Sequence, residues 1–67
     1  RLRSVLVGHL VHEQSEAERE LNIAKNPEDI ARLKGIVEDA QLAYYKLSIL
    51  PRTHPLPKTW RGLLNID

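Results

Sequence analysis

The sequence predicts an all-α fold, in which an antiparallel two-helix hairpin with coiled-coil-like packing precedes an extended, Pro-containing tail. Three observations indicate this fold class. An Asn-Pro pair at 26–27 separates two long segments that are rich in helix-forming residues. Both segments carry seam residues at alternating spacings of three and four. The two series also match each other in register when the chain is folded back at the Asn-Pro pair.

The first helix is expected over about residues 2–25. Its seam, the stripe of side chains that faces the other helix, comprises Val7, Leu10, Gln14, Ala17, Leu21 and Ala24. Gln14 is the polar member, and such a residue commonly sets register or oligomeric state. A partly exposed Gln bonded to backbone is the equal alternative. The Val-rich stretch 4–11 contains Gly8 and also fits a strand, but we prefer the helix.

The second helix is expected over about residues 27–50. Asn26 suits the N-cap, and Pro27 suits the first helical position because its missing N–H would have no partner there. Pro51 ends the helix, since a proline disfavours helical backbone at the residue before it. The seam of this helix comprises Ile30, Leu33, Val37, Ala40, Tyr44 and Leu47.

The two seams share one register. In an antiparallel hairpin, facing positions have residue numbers with a nearly constant sum. Leu21 then lies opposite Ile30 at one end, and Val7 lies opposite Tyr44 at the other. Because each seam is defined by its own spacing, their agreement is the strongest sequence argument for the hairpin.

Residues 1–50 form the predicted hairpin, and residues 51–67 form the predicted tail. Three prolines favour an extended strap, namely Pro51, Pro55 and Pro57. Their spacing contains no P-x-x-P motif of the kind that SH3 domains bind. An apolar cluster of Trp60, Leu63 and Leu64 follows. A short turn at the end of the tail is left open, because Gly62 lowers the helix propensity there.

Composition narrows the function classes. The chain of 67 residues has no Cys, which excludes disulfides and thiolate metal sites and favours a reducing compartment such as the cytoplasm. Ten Lys and Arg residues against nine Asp and Glu give a net charge of +1, so no overall field points to nucleic acid. No apolar run approaches the roughly 20 residues that a membrane span needs. The first residue is Arg rather than Met, as expected of a processed product or a piece of a longer protein.

The open end of the hairpin, where the first helix begins and the second ends, is rich in apolar residues. A helix that is apolar all round must be covered on more than one side. The tail, a second copy or another protein could supply that cover. We expect a protein partner or self-association, with contacts through Leu6, Leu10, Tyr44, Tyr45, Leu47, Ile49, Leu50, Trp60, Leu63 and Leu64. The leading interpretation is a non-catalytic structural or adaptor subunit in a homo-oligomer or a larger assembly.

No catalytic residue, cofactor or metal site is predicted. The polar residues His9, His12, Glu13 and Glu16 share one helical face, but neither His-Glu-x-x-His nor Glu-x-x-His occurs. We therefore interpret them as flank residues. The Ser and Thr residues lie in no nucleophile motif, and a two-helix hairpin offers no concave pocket for a reaction.

The alternative function is a small nucleic-acid-associated protein. Its basic rim would comprise Arg1, Arg3, Arg52, Lys58 and Arg61, all from the open end or the tail. Such a cluster could contact phosphates. A solvated rim around an apolar contact explains the same residues equally well.

Overall fold

The computed structural model describes residues 2–66, and it confirms the all-helical class for that part of the chain. Two long helices, α1 (Leu2–Leu21) and α2 (Pro27–Ile49), are followed by a short 3₁₀ helix (Trp60–Asn65). The long helices pack against each other. Near the start of α1, Arg3 Nη1 donates a hydrogen bond of 3.0 Å to the Leu47 carbonyl near the end of α2. The chain therefore folds back on itself as a helical hairpin.

The first helix ends four residues earlier than the sequence predicts. Its last turn tightens, because the Ile23 amide donates to the carbonyl of Glu20, three residues back, at 3.1 Å. Pro27 also forces extended backbone on Asn26, so the chain needs residues 22–26 to leave one helix and enter the next. The stretch 4–11 is helical, and the strand alternative for it is wrong.

Helix α2 is bounded by the residues that the sequence indicated. Asn26 is extended, at φ −79° and ψ 125°, and its Oδ1 accepts a hydrogen bond of 2.8 Å from the Glu28 amide. At the other end Leu50 is extended, as a residue before proline prefers. Arg3 also donates to the Leu50 carbonyl at 3.5 Å. A side chain of α1 thus satisfies carbonyl groups that the end of α2 leaves without helical partners.

The buried seam follows the predicted one at the turn end and departs from it at the open end. Five predicted members are buried, namely Leu10, Ala17, Leu33, Ala40 and Leu47. Tyr44, however, is 53% exposed, whereas its neighbour Ala43 is fully buried. Leu6 is also buried, one residue before the predicted Val7. The prediction for Tyr44 is wrong because a third element packs on the hairpin and shifts the buried stripe of both helices towards it.

That third element is the tail. Residues 51–59 contain no helix, with one turn closed by the His54 amide donating to the Pro51 carbonyl at 3.0 Å. The 3₁₀ helix then brings Trp60 and Leu63 against both long helices. The main core comprises Leu6, Leu10, Ala40, Ala43, Leu47, Trp60 and Leu63. The tail therefore seals one side of the open end.

Candidate protein-binding surface

The tail is held against both helices by a polar cluster around Trp60. The Trp60 Nε1–H donates to Glu13 Oε2 at 2.9 Å, which satisfies the polar atom of an otherwise buried ring. Arg61 Nη2 contacts the other oxygen of Glu13 at 3.3 Å, and Arg61 Nη1 lies 3.8 Å from Asp39 Oδ2. The Arg61 guanidinium also sits 4.5 Å from the centroid of the Trp60 ring. Because Arg61 is about half exposed, each ion pair contributes less than about 1 kcal/mol.

A second contact holds the end of the tail. Lys46 Nζ donates to the Leu64 carbonyl at 3.0 Å and to the Ile66 carbonyl at 2.7 Å. These carbonyls belong to the end of the 3₁₀ helix, where a cation is favourable. The packing between the strap and this helix is close, since a Cβ on Gly62 would lie 2.6 Å from Pro57 Cβ. The tail is thus a closely packed part of the fold.

The tail leaves only some of the predicted contact residues accessible. Five of them lie in the core of the chain itself, namely Leu6, Leu10, Leu47, Trp60 and Leu63. Leu50 and Leu64 are half-buried. Tyr44, Tyr45 and Ile49 are 53%, 60% and 61% exposed. The surface that a partner can reach is therefore carried mainly by these last three.

The exposed apolar residues of α2 divide between two surfaces. Leu42, Tyr45 and Ile49 follow one another at spacings of three and four on α2, so they share one helical face. We call this the outer face. The other surface is a shallow groove between α1 and α2, lined by Val7, Leu10, Val11, Gln14, Gln41 and Tyr44. We call this the inter-helix groove.

The inter-helix groove is distinct from the surface that holds the tail. The polar contacts to the tail arise from Glu13, Asp39 and Lys46, and none of these residues lines the groove. Leu10 is buried beneath it, while Val11 and Tyr44 on its two sides are each about half exposed. The groove is therefore a mostly apolar strip with two amides and one phenol.

The basic rim does not come together as one patch. Arg3 and Arg52 line the same hollow at the open end, together with Ser4 and Ser48. Arg61 instead lies beside Glu13 and Asp39. Lys58 is exposed on the strap, and Arg1 lies outside the described residues.

The His-containing face of α1 does not assemble a metal site. Within residues 2–66, no three side chains of His, Asp or Glu are grouped closely enough to hold a metal ion. Glu13 of this face is instead the acceptor for Trp60 and Arg61.

No helix within residues 2–66 is long and apolar enough to cross a membrane.

Sequence reasoning missed the side chains that bind the tail, Glu13, Asp39 and Lys46. Lys46 carried a usable signal, because it is the one charged residue between Leu42 and Leu50. A cation within such an apolar stretch needs an acceptor nearby. Glu13 and Asp39 gave no signal, since acids on the flank of a helix are ordinarily solvated.

Comparison of the chain with protein-family models, with curated proteins and with solved structures found no match.

Proposed function

We propose that this chain is a non-catalytic structural or adaptor subunit that binds protein through the exposed apolar side chains at the open end of the hairpin. Trp60 and Leu63 contribute by holding the tail in place rather than by direct contact. The partner is a second copy of the chain or a component of a larger assembly. The surfaces that meet it are the outer face and the inter-helix groove.

One observation carries this proposal. Eight large apolar side chains are exposed in the described residues, namely Leu2, Val5, Val11, Ile23, Leu42, Tyr44, Tyr45 and Ile49. All but Ile23 lie in the half of the hairpin that contains the open end. Single exposed apolar residues are ordinary, but a concentration at one end of a molecule marks an interaction site. Tyrosines are also enriched among the residues that contribute most to protein–protein affinity.

Substitutions that introduce charge on both surfaces test the proposal. The double variant Tyr44→Asp with Ile49→Asp should weaken self-association, or the capture of a protein partner, by a factor of at least about ten in the dissociation constant. Both residues are more than half exposed, so the fold should survive. The measurements are sedimentation equilibrium and quantitative capture on immobilised chain, with circular dichroism to verify helix content.

Arg19→Glu supplies the matched control. Arg19 is exposed near the turn end, with its Nη1 only 3.9 Å from Glu16. Its reversal should change binding little, because exposed ion pairs contribute little. If the control and the double variant weakened binding equally, or if the wild-type chain bound no protein at all, the proposal would fail.

We also propose that α1 and α2 pack in an antiparallel, coiled-coil-like arrangement. Its support is the shared heptad spacing, together with buried Ala17, Leu33 and Ala40. Cysteines introduced at Ala17 and Leu33 should form a disulfide under mild oxidation, while a pair at Ala17 and Ala40 should not. The reverse outcome would contradict the predicted register.

A second candidate function rests on the hollow that contains Arg3 and Arg52. The Arg52 guanidinium beside Ser4 and Ser48 could contact the phosphates of a nucleic acid, with added positive charge from Arg3, whose guanidinium donates to the Leu47 and Leu50 carbonyls. Binding to a short DNA or RNA duplex should then fall steeply with salt, and Arg52→Ala should reduce the steepness. Retention that is independent of salt would exclude this candidate.

A further inference from the structure

The molecule is more extended than a compact chain of its size. Its dimensions are 43 × 22 × 16 Å and its radius of gyration is 13.0 Å, against about 11 Å for a compact domain of this length. Its accessible surface is 5031 Å², against about 4300 Å² for a monomer of this mass. An elongated hairpin therefore leaves more surface free for a partner than a compact chain of this mass does.

The exposed residues that line the inter-helix groove belong to one stripe on each helix, and by its spacing each stripe continues beyond the groove towards the turn end. On α1 the stripe is Val7, Val11, Gln14 and Glu18, at spacings of four, three and four. On α2 the stripe is Lys34, Val37, Gln41 and Tyr44, at spacings of three, four and three. Residues at such spacings lie on one side of a helix. Both stripes end in a charge towards the turn end, negative on α1 and positive on α2.

The two stripes are matched level by level. Glu18 lies level with Lys34, Gln14 with Val37, Val11 with Gln41 and Val7 with Tyr44, because the residue numbers in each pair have a nearly constant sum in the hairpin. A twofold axis parallel to the helices exchanges the two copies and places α1 of each copy beside α2 of the other at the same level. Residues that are level with each other within one chain would then also be level across the interface.

That exchange makes the groove complementary to itself. Glu18 of each copy would meet Lys34 of the other, and among the described residues neither of them has an ion pair within the chain. Val7 would pack on a tyrosine ring, and the two glutamine amides can both donate and accept. No like charges are brought together along these stripes, so opposite charges set the alignment and apolar contacts exclude water.

We infer that the occupant of the inter-helix groove is a second copy of this chain, docked so that α1 of each copy lies on α2 of the other in a two-fold, four-helix arrangement. The inference rests on the proposed protein-binding function and names the partner of its groove surface. The self-matching charges favour a second copy, since an unrelated protein has no reason to carry the same pattern.

A variant in the groove and a control outside both surfaces test the dimer. Sedimentation equilibrium of the wild-type chain should show a monomer–dimer equilibrium. Tyr44→Arg, in the groove, should raise the dimer dissociation constant about tenfold or more. Arg19→Glu, which lies outside both surfaces and is exposed near the turn end, should leave it within about twofold, and circular dichroism should show the same helix content for both variants.

The charged pair tests the alignment. Glu18→Lys and Lys34→Glu should each weaken the dimer about two- to fivefold at low salt. The double variant, Glu18→Lys with Lys34→Glu, should restore wild-type affinity because the pair is reformed with its signs exchanged. Failure of the double variant to recover would overturn the proposed arrangement of the helices.

Other outcomes separate this inference from the proposed function. A wild-type chain that stays monomeric at every concentration would overturn the dimer. If that monomer still captured a protein partner, and the capture were lost in Ile49→Asp, the proposed function would stand without it. A dimer disrupted by Tyr45→Arg and not by Tyr44→Arg would likewise overturn the groove as the interface while supporting protein binding.

Discussion

The two ends of the hairpin are stabilised in different ways. At the turn end the buried residues are Ala17 and Leu33, and neither belongs to the main core. Local chemistry organises that end, with Asn26 capping α2 and exposed charges around it. At the open end a third element adds Trp60 and Leu63, and the core gathers there. The difference shows how little a pair of helices can bury between themselves, and how a tail of a few apolar residues completes a core.

The largest expected effect comes from removing the anchor of the tail. Trp60→Ala should lower the free energy of unfolding by about 3–5 kcal/mol, because it leaves a cavity in the main core. Leu33→Ala, at the turn end, should cost about 2 kcal/mol, since fewer side chains surround the deleted atoms. Chemical denaturation followed by circular dichroism measures both. A larger loss for Leu33→Ala would show that the turn end, and not the tail, dominates stability.

A smaller effect distinguishes the close packing of the tail from the open surface of the helices. Gly62→Ala should destabilise the fold by about 1–3 kcal/mol, because the new methyl would overlap Pro57. Gly35→Ala should stabilise it by about 0.5–1 kcal/mol, since nothing lies within 4 Å of the added carbon and alanine favours helix. Thermal unfolding of the two variants should therefore shift in opposite directions. A shift in the same direction would contradict the contact between the strap and the 3₁₀ helix.

A comparable but local effect is expected at the turn end. Asn26→Ala removes the acceptor of the Glu28 amide and should cost about 1 kcal/mol. Asn22→Ala, in the same connection, should change stability by about 0.5 kcal/mol or less. Amide hydrogen exchange should show faster opening at the start of α2 in the first variant only. Equal exchange in both would mean that the cap contributes nothing.

Local chemistry alone predicted the helix boundaries that depend on backbone rules. Asn26, Pro27 and Pro51 act on their immediate neighbours, and their effects appear in the fold at those positions. The alternation of three and four also predicted Ala17 on α1 and Leu33 on α2 as seam residues, and both are buried. Such patterns are readable because each residue interacts mainly with others one or two turns away.

The sequence alone predicted only some of the accessible residues of the candidate site. Tyr45 and Ile49 are exposed within an apolar stretch, as the surplus of apolar residues at the open end indicated. Tyr44 is exposed for a different reason, because the tail shifts the buried stripe towards Ala43. The inter-helix groove, which Tyr44 lines, therefore depends on the position of the tail.

By itself, the sequence determined two helices, the start of the second at Asn26–Pro27 and its end before Pro51, and an excess of apolar residues at one end of the hairpin. The tertiary structure decided which of those residues became core and which stayed on the surface. The deciding contacts, such as Trp60 with Glu13, join residues that are 47 positions apart. No local spacing encodes such a contact, since it depends on the volume left beside the packed helices and on which side chain fills it.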